Sequence, residues 1–557
     1  MFESIAAQLR TLDYVKTAEA SNEQILVKIE SDARGYELHL DCSCPFPRQL
    51  PRIYLVSADQ YGFLPHVCWA GEVCFSDRES LHIDTDRPID VVVYSLNSVT
   101  EILFKAENGI LDAFYDEFEG YWNSQKDCLE CHLFFDLEGG FREVELYENK
   151  KLRPESIACF RKDKTLRPGY SFFDQRTSSK TLIRGCYIPL KHHIDPPLPG
   201  SPLGLDFITR VLDAMEVSDL CRWNSFIQGN KVPKRLTLIM AQPRPSGGQS
   251  LYGLHLSAKA LVALKNKEPY AKPLIPLGVK RHSYNYLVRR GGNAEEPLDS
   301  KVVVIGCGAL GSRVAELFAM EGIRHLTLVD GDSFSESNLF RHLLDSEFIG
   351  LNKAGALAKN FIGRFPGINV SAMTCYADSL KDFINDSDLI VVATGNPTVD
   401  LEFSREYRAS NYKENGCLLT TWLEVGGVGG HSVLSTKRTQ GCLHCLYHRD
   451  GTPSLISVTS LIRPNQVVTK NLTGCGGAFV PYGAIHALKT ATMVVEQALA
   501  VIADQTPVSG YRSWSSRENL ARTALQGSDW FNELLKEGAN QQIEQLLAEG
   551  CPVCRGQ

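Results

Sequence analysis

Short apolar runs alternate with amphipathic segments in the C-terminal half of the chain. Residues 302–305 form a β-branched run, which predicts a strand buried on both faces. A helical pattern follows from about residue 312 to 321, and a second apolar run at 326–329 predicts the next strand. A further helical pattern to about residue 361 and an apolar run from residue 389 continue the alternation. This order predicts a sheet of parallel strands covered by helices.

The N-terminal 125 residues have a different order. An amphipathic helix is predicted at the start, then a meander of three strands, a proline-rich loop at 44–51 and a long helical pattern at 89–123. The three strands are predicted at 24–29, 36–41 and 53–56.

Residues 126–295 give fewer signals. Strands are predicted at 236–240 and 251–256 between turn-rich loops, which indicates a mixed α/β connecting domain. Cys128, Cys131 and His132 have metal-like spacing, but no second pair lies nearby, and an incidental group is the favoured interpretation. The chain is thus predicted to be a multidomain α/β protein with domains at 1–125, 126–295 and 296–557.

Composition narrows the function classes. The 557 residues carry 58 basic and 65 acidic side chains, a net charge of −7, which predicts no nucleic-acid partner. No apolar run of membrane-spanning length and no signal-peptide core is evident, so no membrane partner is expected. Seventeen cysteines without an export signal predict a reducing, cytoplasmic location, where thiols serve chemistry or metal.

A glycine motif connects the first predicted strand of the C-terminal half to its helix. Gly306, Gly308 and Gly311 form G-x-G-x-x-G, and Asp330 ends the next strand nineteen residues later. This is the βαβ nucleotide fingerprint: the glycines allow close approach to phosphate, and the acid takes a ribose hydroxyl. The polar residues that follow argue against a dehydrogenase, because cations beyond the ribose acid suit charge developing on phosphates. They are Asp332, Asn338, Arg341 and Lys353.

This row resembles the superfamily of ubiquitin-activating enzymes and the bacterial adenylyltransferases of molybdopterin and thiamine sulfur carriers. The resemblance implies ATP as substrate, Asp330 on the ribose, and Asn338, Arg341 and Lys353 on the triphosphate. The family usually has a magnesium-binding aspartate where this chain has Gly395. Mg²⁺ is still expected, because ATP brings it. Asp330, Asp332 and Asp400 are candidate ligands.

Two C-x2-C pairs predict a metal site near the C-terminus. Cys442 and Cys445 form the first pair, and Cys551 and Cys554 form the second. Four cysteines suit a tetrahedral Zn²⁺ site without an open position, so the site is predicted to be structural and to hold the C-terminal tail to its domain. A site of three cysteines with His444 or His448 is the alternative.

Two further cysteines are candidate nucleophiles. Cys475 lies among glycines, and in the resembled family a cysteine in this general region forms the first thioester; a structural turn residue is the alternative. The N-terminal pattern is similar to the ubiquitin-conjugating fold, an α+β fold in which the active cysteine would be Cys74. The family's His-Pro-Asn is replaced by Pro65-His66-Val67, which lacks the asparagine. Cys42, Cys44 and Cys68 are expected to be ordinary small side chains.

The order of the domains resembles bacterial fusions of ubiquitin-conjugating and ubiquitin-activating modules, found in antiphage systems such as CBASS. The resemblance implies adenylation of a partner's C-terminal carboxylate, a thioester on Cys475, transfer to Cys74 and conjugation to a target amine. The partner would be a cyclic-nucleotide synthase or a ubiquitin-like modifier, and the enzyme a homodimer. Two alternatives stay open: an adenylyltransferase serving a sulfur carrier for cofactor synthesis, and a nucleotide-sensing scaffold without turnover.

Overall fold

The computed structural model divides into two compact units, Met1–Thr165 with Gln175–Arg281, and Leu166–Asp174 with His282–Gln557. The structure describes the whole chain except residues 69, 77–80, 109–112, 126, 137, 150–155, 162–180, 198–201, 230–232, 292–297, 380–382, 384–386, 414, 450–452, 473–477, 504–506, 537–541, 546–549 and 555–557.

The first unit begins with an antiparallel sheet of four strands in the order β1-β2-β3-β4. Alternate residues of β2 are buried, and its Ile25, Val27 and Ile29 pack in one core with residues of α1 and α2. The elements are α1 (Phe2–Leu9), β1 (Val15–Ser21), β2 (Gln24–Glu30), β3 (Gly35–Asp41), β4 (Arg52–Leu55), α2 (Pro88–Glu107), α3 (Ala113–Asp116) and α4 (Phe118–Asn123).

Three predicted strands of this sheet are confirmed. The amphipathic helix was predicted on the stretch MFESIAAQLRTLDYVK, whereas α1 ends at Leu9 and the stretch leads into β1. Strand β1 was not predicted, because its sequence VKTAEAS is mostly polar and small. The long helical pattern is divided into α2, α3 and α4. The three-domain division and the likeness of this region to the ubiquitin-conjugating fold stay predictions.

The middle region is mixed α/β, with strands that close into a barrel in the order β10-β11-β5-β7-β6-β8-β9. The two predicted strands, now within β9 and β10, are confirmed, whereas the closure was not predicted. Every residue from Leu236 to Gln242 is buried, because one face of β9 lines the barrel and the other packs against helices. The elements are β5 (Leu129–Leu133), β6 (Arg142–Asn149), β7 (Ser156–Arg161), β8 (Thr181–Pro189), α5 (Leu205–Asp213), α6 (Val217–Gly229), β9 (Arg235–Pro243), β10 (Gln249–Ser257), α7 (Ala258–Asn266) and β11 (Ile275–Arg281).

The α3–α4 segment is anchored on this barrel. The indole N–H of Trp122 donates to the carbonyl oxygen of Leu277 at 3.0 Å, and Glu119 is paired with Arg281. The backbone N–H of Ser246 donates to the carboxylate of Asp116 at 3.0 Å. The segment therefore has a fixed orientation on the barrel.

The second unit contains an eight-stranded sheet in the order β14-β13-β12-β15-β16-β17-β22-β23. The strands from β14 to β16 are parallel, as predicted, and the remaining three pairings are antiparallel. The strands are β12 (Leu298–Ile305), β13 (Ile323–Val329), β14 (Asn369–Met373), β15 (Leu389–Val392), β16 (Cys417–Leu423), β17 (Gly429–Thr436), β18 (Tyr447–Arg449), β19 (Leu455–Ser457), β20 (Lys470–Asn471), β21 (Ala478–Phe479), β22 (Gly510–Ser515) and β23 (Gln542–Gln545).

Helices cover this sheet, and they are α8 (Tyr284–Arg290), α9 (Ala309–Met320), α10 (Lys353–Arg364), α11 (Pro397–Ala409), α12 (Ala484–Ala503), α13 (Arg517–Ala521) and α14 (Asp529–Lys536). Helix α12, with 20 residues, is long and apolar enough to pass a test for a membrane span by length and composition. The expectation that no such run exists was therefore wrong. Ala487, Ala491 and Val494 of α12 are fully buried, and the last two belong to the sheet's core, which is the packing of a core helix.

Candidate functional site

The glycine-rich turn lies at the carboxyl ends of β12 and β15. Gly306 has a φ of +87°, and a Cβ there would lie 2.6 Å from the carbonyl oxygen of Ala393. A Cβ on Gly311 would lie 1.8 Å from the carbonyl oxygen of Gly306. A Cβ on Gly308, which precedes α9, would meet no atom within 4 Å. The order of the sheet reverses between β12 and β15, and open α/β sheets bind ligands at such a switch point.

Asp330 lies against this turn directly after β13. Its Oδ2 accepts a hydrogen bond from the backbone N–H of Cys307 at 2.7 Å, and its Oδ1 accepts one from the N–H of Asp332 at 2.8 Å. Cys307 is fully buried, and burial raises the pKa of its thiol, so it has a packing role. The carboxylate of Asp330 therefore lies beside the glycine-rich turn, and its role toward a ribose stays a prediction.

Asp332, Lys353 and Tyr376 form one polar group beside Asp330. The Nζ of Lys353 lies 2.8 Å from Oδ2 of Asp332, and the hydroxyl of Tyr376 donates to Oδ1 at 2.8 Å. The hydrogen bonds from Lys353 and Tyr376 hold the pKa of Asp332 below its usual value. Lys353 is buried, so its ammonium group has a fixed direction. The structure thus brings three of the predicted site residues together: Asp330, Asp332 and Lys353.

Asn338 and Arg341 lie on the segment between β13 and α10. The side-chain oxygen of Asn338 accepts the backbone N–H of Ser335 at 3.2 Å and closes a short 3₁₀ turn. The guanidinium carbon of Arg341 lies 5.3 Å from the ring centroid of Tyr482, within the range of a cation–π contact. Tyr482 follows the segment that carries Cys475 in the sequence. Their roles toward a triphosphate stay predictions.

His342 fixes the carbonyl side of the glycine-rich turn. Its Nδ1 accepts the backbone N–H of Leu344 at 3.1 Å, so Nε2 carries the hydrogen and donates to the carbonyl oxygen of Cys307 at 2.7 Å. Burial lowers the pKa of His342 to about 4; the bond to Cys307 opposes this shift, and the charges of Lys353, Arg313 and Arg341 add to it. The imidazole is therefore neutral at pH 7.

This lowered pKa predicts a pH-dependent stability. In the unfolded chain His342 is protonated below a pH of about 6.5, whereas in the folded chain it is protonated only below a pH of about 4. Stability is thus complete above the unfolded pKa and is lost as pH falls through this window, by up to about 3 kcal/mol. Urea unfolding of the chain at pH 7 and pH 5 should show this loss, and His342→Gln should reduce it. The exposed His448→Gln is the control, and an equal loss in His342→Gln would contradict the prediction.

The candidate magnesium ligands have different surroundings. Gly395 has a φ of +70° in the turn after β15, and a Cβ there would meet no atom within 4 Å. Asp400 is buried, and its Oδ1 accepts a hydrogen bond from Thr394 at 2.5 Å; burial raises its pKa to about 7. Asp330 and Asp332 are engaged as described above. The structure therefore indicates no preferred magnesium ligand among the three.

The two C-x2-C pairs meet. The four sulfur atoms of Cys442, Cys445, Cys551 and Cys554 all lie within 4.8 Å of one another. The Sγ atoms of Cys442 and Cys551 are 3.8 Å apart, and those of Cys445 and Cys554 are 3.5 Å apart. Tetrahedral zinc with Zn–S bonds of about 2.3 Å requires sulfur separations of about 3.8 Å, so the four residues fit. His444 instead donates to the carbonyl of Leu401, an arrangement that favours four cysteines over the histidine variant.

The first C-x2-C pair of the chain has no such arrangement. Cys131 lies inside the barrel, and burial raises the pKa of its thiol to about 12. Among the described residues, the only metal-like group of histidine, cysteine and acidic side chains is the C-terminal one. The interpretation of Cys128, Cys131 and His132 as incidental stays a prediction.

Cys74 is exposed in a cleft of about 650 Å³ in the first unit. Its backbone N–H donates to the carbonyl oxygen of His66 at 2.8 Å, and Val67 bridges to Val73, so a tight hairpin presents the thiol. Cys68 is exposed in the same cleft, whereas Cys42 is buried and its pKa is raised to about 12 by burial.

Gly71 is required at the turn of this hairpin. Its φ is +82°, and a Cβ there would lie 2.5 Å from the carbonyl oxygen of Leu55. We expect Gly71→Ala to lower the free energy of unfolding by about 2–4 kcal/mol, from backbone strain and a clash. Gly247→Ala is the control for backbone strain alone, because its φ is +97° and its Cβ would meet no atom within 4 Å; it should cost less, about 1–2 kcal/mol. Equal losses in urea unfolding would contradict the predicted clash.

Cys475 lies outside the described residues, within 473–477. The described strands on either side, β20 and β21, pair with each other. The nucleophilic role of Cys475 therefore stays a prediction, as does the role of Cys74.

Three residues near the nucleotide site were not predicted. Asn352 caps α10 by accepting the N–H of Gly355, and its amide donates to the carbonyl of Asp330 at 2.7 Å. An asparagine just before a helical pattern is a capping signal that could have indicated it. His342 and Tyr376 carry no such signal, because long-range contacts alone bring them to the site.

Two family models match the chain. The prokaryotic E2 family B matches residues 2–130, and the ThiF family matches residues 287–536, which include the glycine-rich turn, Asp330 and Lys353. The chain therefore contains a ThiF-family region after a prokaryotic E2 family B region.

Similar proteins span most of the chain. An ATP-dependent ubiquitin transferase-like protein Cap2 of Pseudomonas aeruginosa is 23% identical over 482 residues, 82% of this chain and 85% of its own length. The protein of the same name from Vibrio cholerae is 21% identical over 85% of this chain and 86% of its own length. The sulfur carrier protein ThiS adenylyltransferase of Escherichia coli is 31% identical over 28% of this chain and 61% of its own length.

Proposed function

We propose that this protein uses ATP to activate the C-terminal carboxylate of a partner protein and conjugates it to an amine of a target. The presence of an E2 family B domain and a ThiF domain in one chain is the observation that carries the proposal. The similarity to ubiquitin transferase-like proteins along most of the chain supports it.

The first step is adenylation. The carboxylate attacks the α-phosphate of ATP, and pyrophosphate leaves. Asp330 binds the ribose, and the turn of Gly306, Gly308 and Gly311 receives the phosphates at the start of α9. Asn338, Arg341 and Lys353 hold the triphosphate, and Asp332 directs Lys353. Mg²⁺ enters with ATP.

The second step is a relay of two thiols. Cys475 displaces AMP to give a thioester, and the acyl group then passes to Cys74 in the ubiquitin-conjugating-like domain. An amine of the target takes it and leaves an isopeptide bond. The open cleft around Cys74 supports this role, because an acyl chain and an amine must both reach the thiol. Two cysteines on one chain raise each other's effective concentration.

The remaining assignments follow from this function. Zn²⁺ bound by Cys442, Cys445, Cys551 and Cys554 has a structural role, because four thiolates leave no open position. The partner is a cyclic-nucleotide synthase or a ubiquitin-like modifier, the enzyme is a cytoplasmic homodimer, and the activity serves antiphage defence.

Activation of a sulfur carrier is the second candidate function. The 31% identity to the ThiS adenylyltransferase favours it, although that similarity covers 28% of this chain. It predicts that a partner's C-terminal thiocarboxylate forms without any need for Cys74.

Tagged protein expressed with its genomic neighbours tests the proposal on a non-reducing gel, with and without thiol reductant. We expect a reductant-sensitive adduct that remains in Cys74→Ala and disappears in Cys475→Ala. Cys68→Ser is the matched control, because Cys68 is exposed in the same cleft as Cys74. An adduct that persists in both Cys74→Ala and Cys475→Ala would overturn the relay. A thiocarboxylate formed without Cys74 would favour the sulfur-carrier function.

A further inference from the structure

We infer that His66 is the catalytic base for attack of an amine on the Cys74 thioester and that Glu117 positions its imidazole. This inference rests on the proposed function. It supplies a group for proton transfer in a domain whose sequence lacks the asparagine of the His-Pro-Asn motif.

The contact between the two side chains fixes the imidazole. Nδ1 of His66 lies 2.7 Å from Oε1 of Glu117. A carboxylate only accepts hydrogen bonds, so Nδ1 carries the hydrogen and Nε2 presents its lone pair. The side chains are 30% and 36% exposed, so solvent and an incoming amine can reach them. A base held in one tautomer by a carboxylate is the arrangement that general-base catalysis uses.

The backbone of His66 is held at two points of the same network. Its N–H donates to the hydroxyl of Tyr121 at 2.7 Å, and that hydroxyl donates to Oε2 of Glu117 at 3.1 Å. Its carbonyl oxygen accepts the N–H of Cys74 at 2.8 Å. His66 also has a φ of +61°, which is uncommon for a residue other than glycine and persists where the surroundings enforce it.

The four residues of this network line one cleft: His66, Cys74, Glu117 and Tyr121. Leu50, Val73 and Phe75 line it as well and make part of its surface apolar.

The chemical step balances within the cleft. The amine nitrogen attacks the thioester carbonyl carbon, and a C–N bond forms while the nitrogen's proton passes to Nε2 of His66. The C–S bond then breaks, and Cys74 leaves as a thiolate. The imidazolium returns the proton to this thiolate, so the products are an amide and a thiol.

The test loads Cys74 directly. The full chain carrying Cys475→Ala and Cys68→Ser is acylated with a fluorescent Gly-Gly peptide thioester of mercaptoethanesulfonate, desalted and mixed with lysine amide or hydroxylamine. Discharge is followed on non-reducing gels, and Cys74→Ser defines the background. Lysine amine is protonated at neutral pH and must lose a proton before it can attack. Hydroxylamine is already uncharged at neutral pH, and its adduct loses a proton readily to water, so its attack depends much less on a base of the protein.

We expect His66→Asn and Glu117→Gln to slow discharge to lysine amide by about 100-fold and about 10-fold, while hydroxylamine still cleaves at nearly the original rate. Asparagine is chosen because it tolerates positive φ. Glu117→Asp should recover part of the lost rate. Glu107→Gln is the matched control, because Glu107 pairs with Arg34 outside the cleft, and its rates should not change.

Each outcome has a distinct meaning. If wild-type Cys74 takes no acyl group above the Cys74→Ser background, the proposed function fails. If Cys74 is acylated and all variants discharge to lysine amide at the rate of the parent chain, the role of His66 is overturned, while Cys74 remains an acyl-accepting thiol. Equal slowing with both nucleophiles would mean that the substitutions only close the cleft, which also overturns it. Thermal unfolding identifies any variant that fails to fold. If His66→Asn or Glu117→Gln fails to fold, Glu117→Asp takes its place, and its rate of discharge to lysine amide is compared with its rate of discharge to hydroxylamine.

Discussion

Lys353→Ala is expected to weaken ATP binding by about 10- to 100-fold, since loss of one charge-assisted hydrogen bond costs about 1.5–3 kcal/mol. The ammonium group of Lys353 is buried at the start of α10 and held by Asp332 at 2.8 Å. Its removal takes away a cation and leaves the carboxylate of Asp332 opposite the phosphates, so attraction is replaced by repulsion. Calorimetric titration of the purified chain with Mg·ATP measures the effect.

Lys359→Ala is the matched control, because Lys359 is exposed on the same helix. Its affinity for ATP should equal that of the wild type. Lys353→Arg separates the effect of charge from that of geometry. Arginine keeps the positive charge but spreads it over a planar guanidinium group, so part of the affinity for ATP should be lost. Unchanged affinity in Lys353→Ala would place the triphosphate away from α10 and contradict the proposed site.

The C-terminal cysteines are expected to bind about one zinc ion per chain, and Cys551→Ser should remove most of it. The two pairs enclose about 105 residues, so a metal link between them closes a long loop. By the entropy of a cross-link of that length, its loss costs about 4–5 kcal/mol. For a unit of this size that corresponds to a fall of about 10 °C in Tm.

Metal content by mass spectrometry and thermal unfolding check this prediction. Cys375→Ser is the control, because Cys375 is an exposed cysteine of the same unit outside the cluster. It should keep both the zinc and the Tm. A chain purified without zinc, with the same Tm in Cys551→Ser, would show that the four sulfurs meet without a structural metal.

The nucleotide half was predictable because its signals are local. The run at 302–305, the glycine spacing and Asp330 all follow from the geometry of one βαβ unit, and the structure has them in that geometry. The metal site was predictable because C-x2-C is a typical spacing of zinc ligands, and two such pairs supply the four ligands of a tetrahedral site. In both cases the spacing of residues within short stretches of sequence was enough to predict the structure.

The remainder depends on contacts that local patterns do not encode. The barrel closes through parallel pairs such as β8 with β9, which are distant in the chain and carry no turn signal. Strand β1 was missed because most of its residues are polar or small, and because an irregularity between Val15 and Thr17 breaks the alternation of buried and exposed positions. Glu117 lies in the stretch for which one continuous helix was predicted. Its approach to His66 depends on the break of that helix between α2 and α4. Tertiary structure alone decides such positions.

The attachment of the α3–α4 segment to the barrel has a consequence for how the protein can be divided. One wall of the Cys74 cleft is supplied by Glu117, Gly120 and Tyr121, and this wall is secured by Trp122 and Glu119 on β11. A fragment cut at the end of the E2-like region would keep the Cys74 thiol but lose the contacts with β11 that hold this wall in place. Exchange of barrels between relatives would therefore alter the support of this wall without any change in the sequence around Cys74.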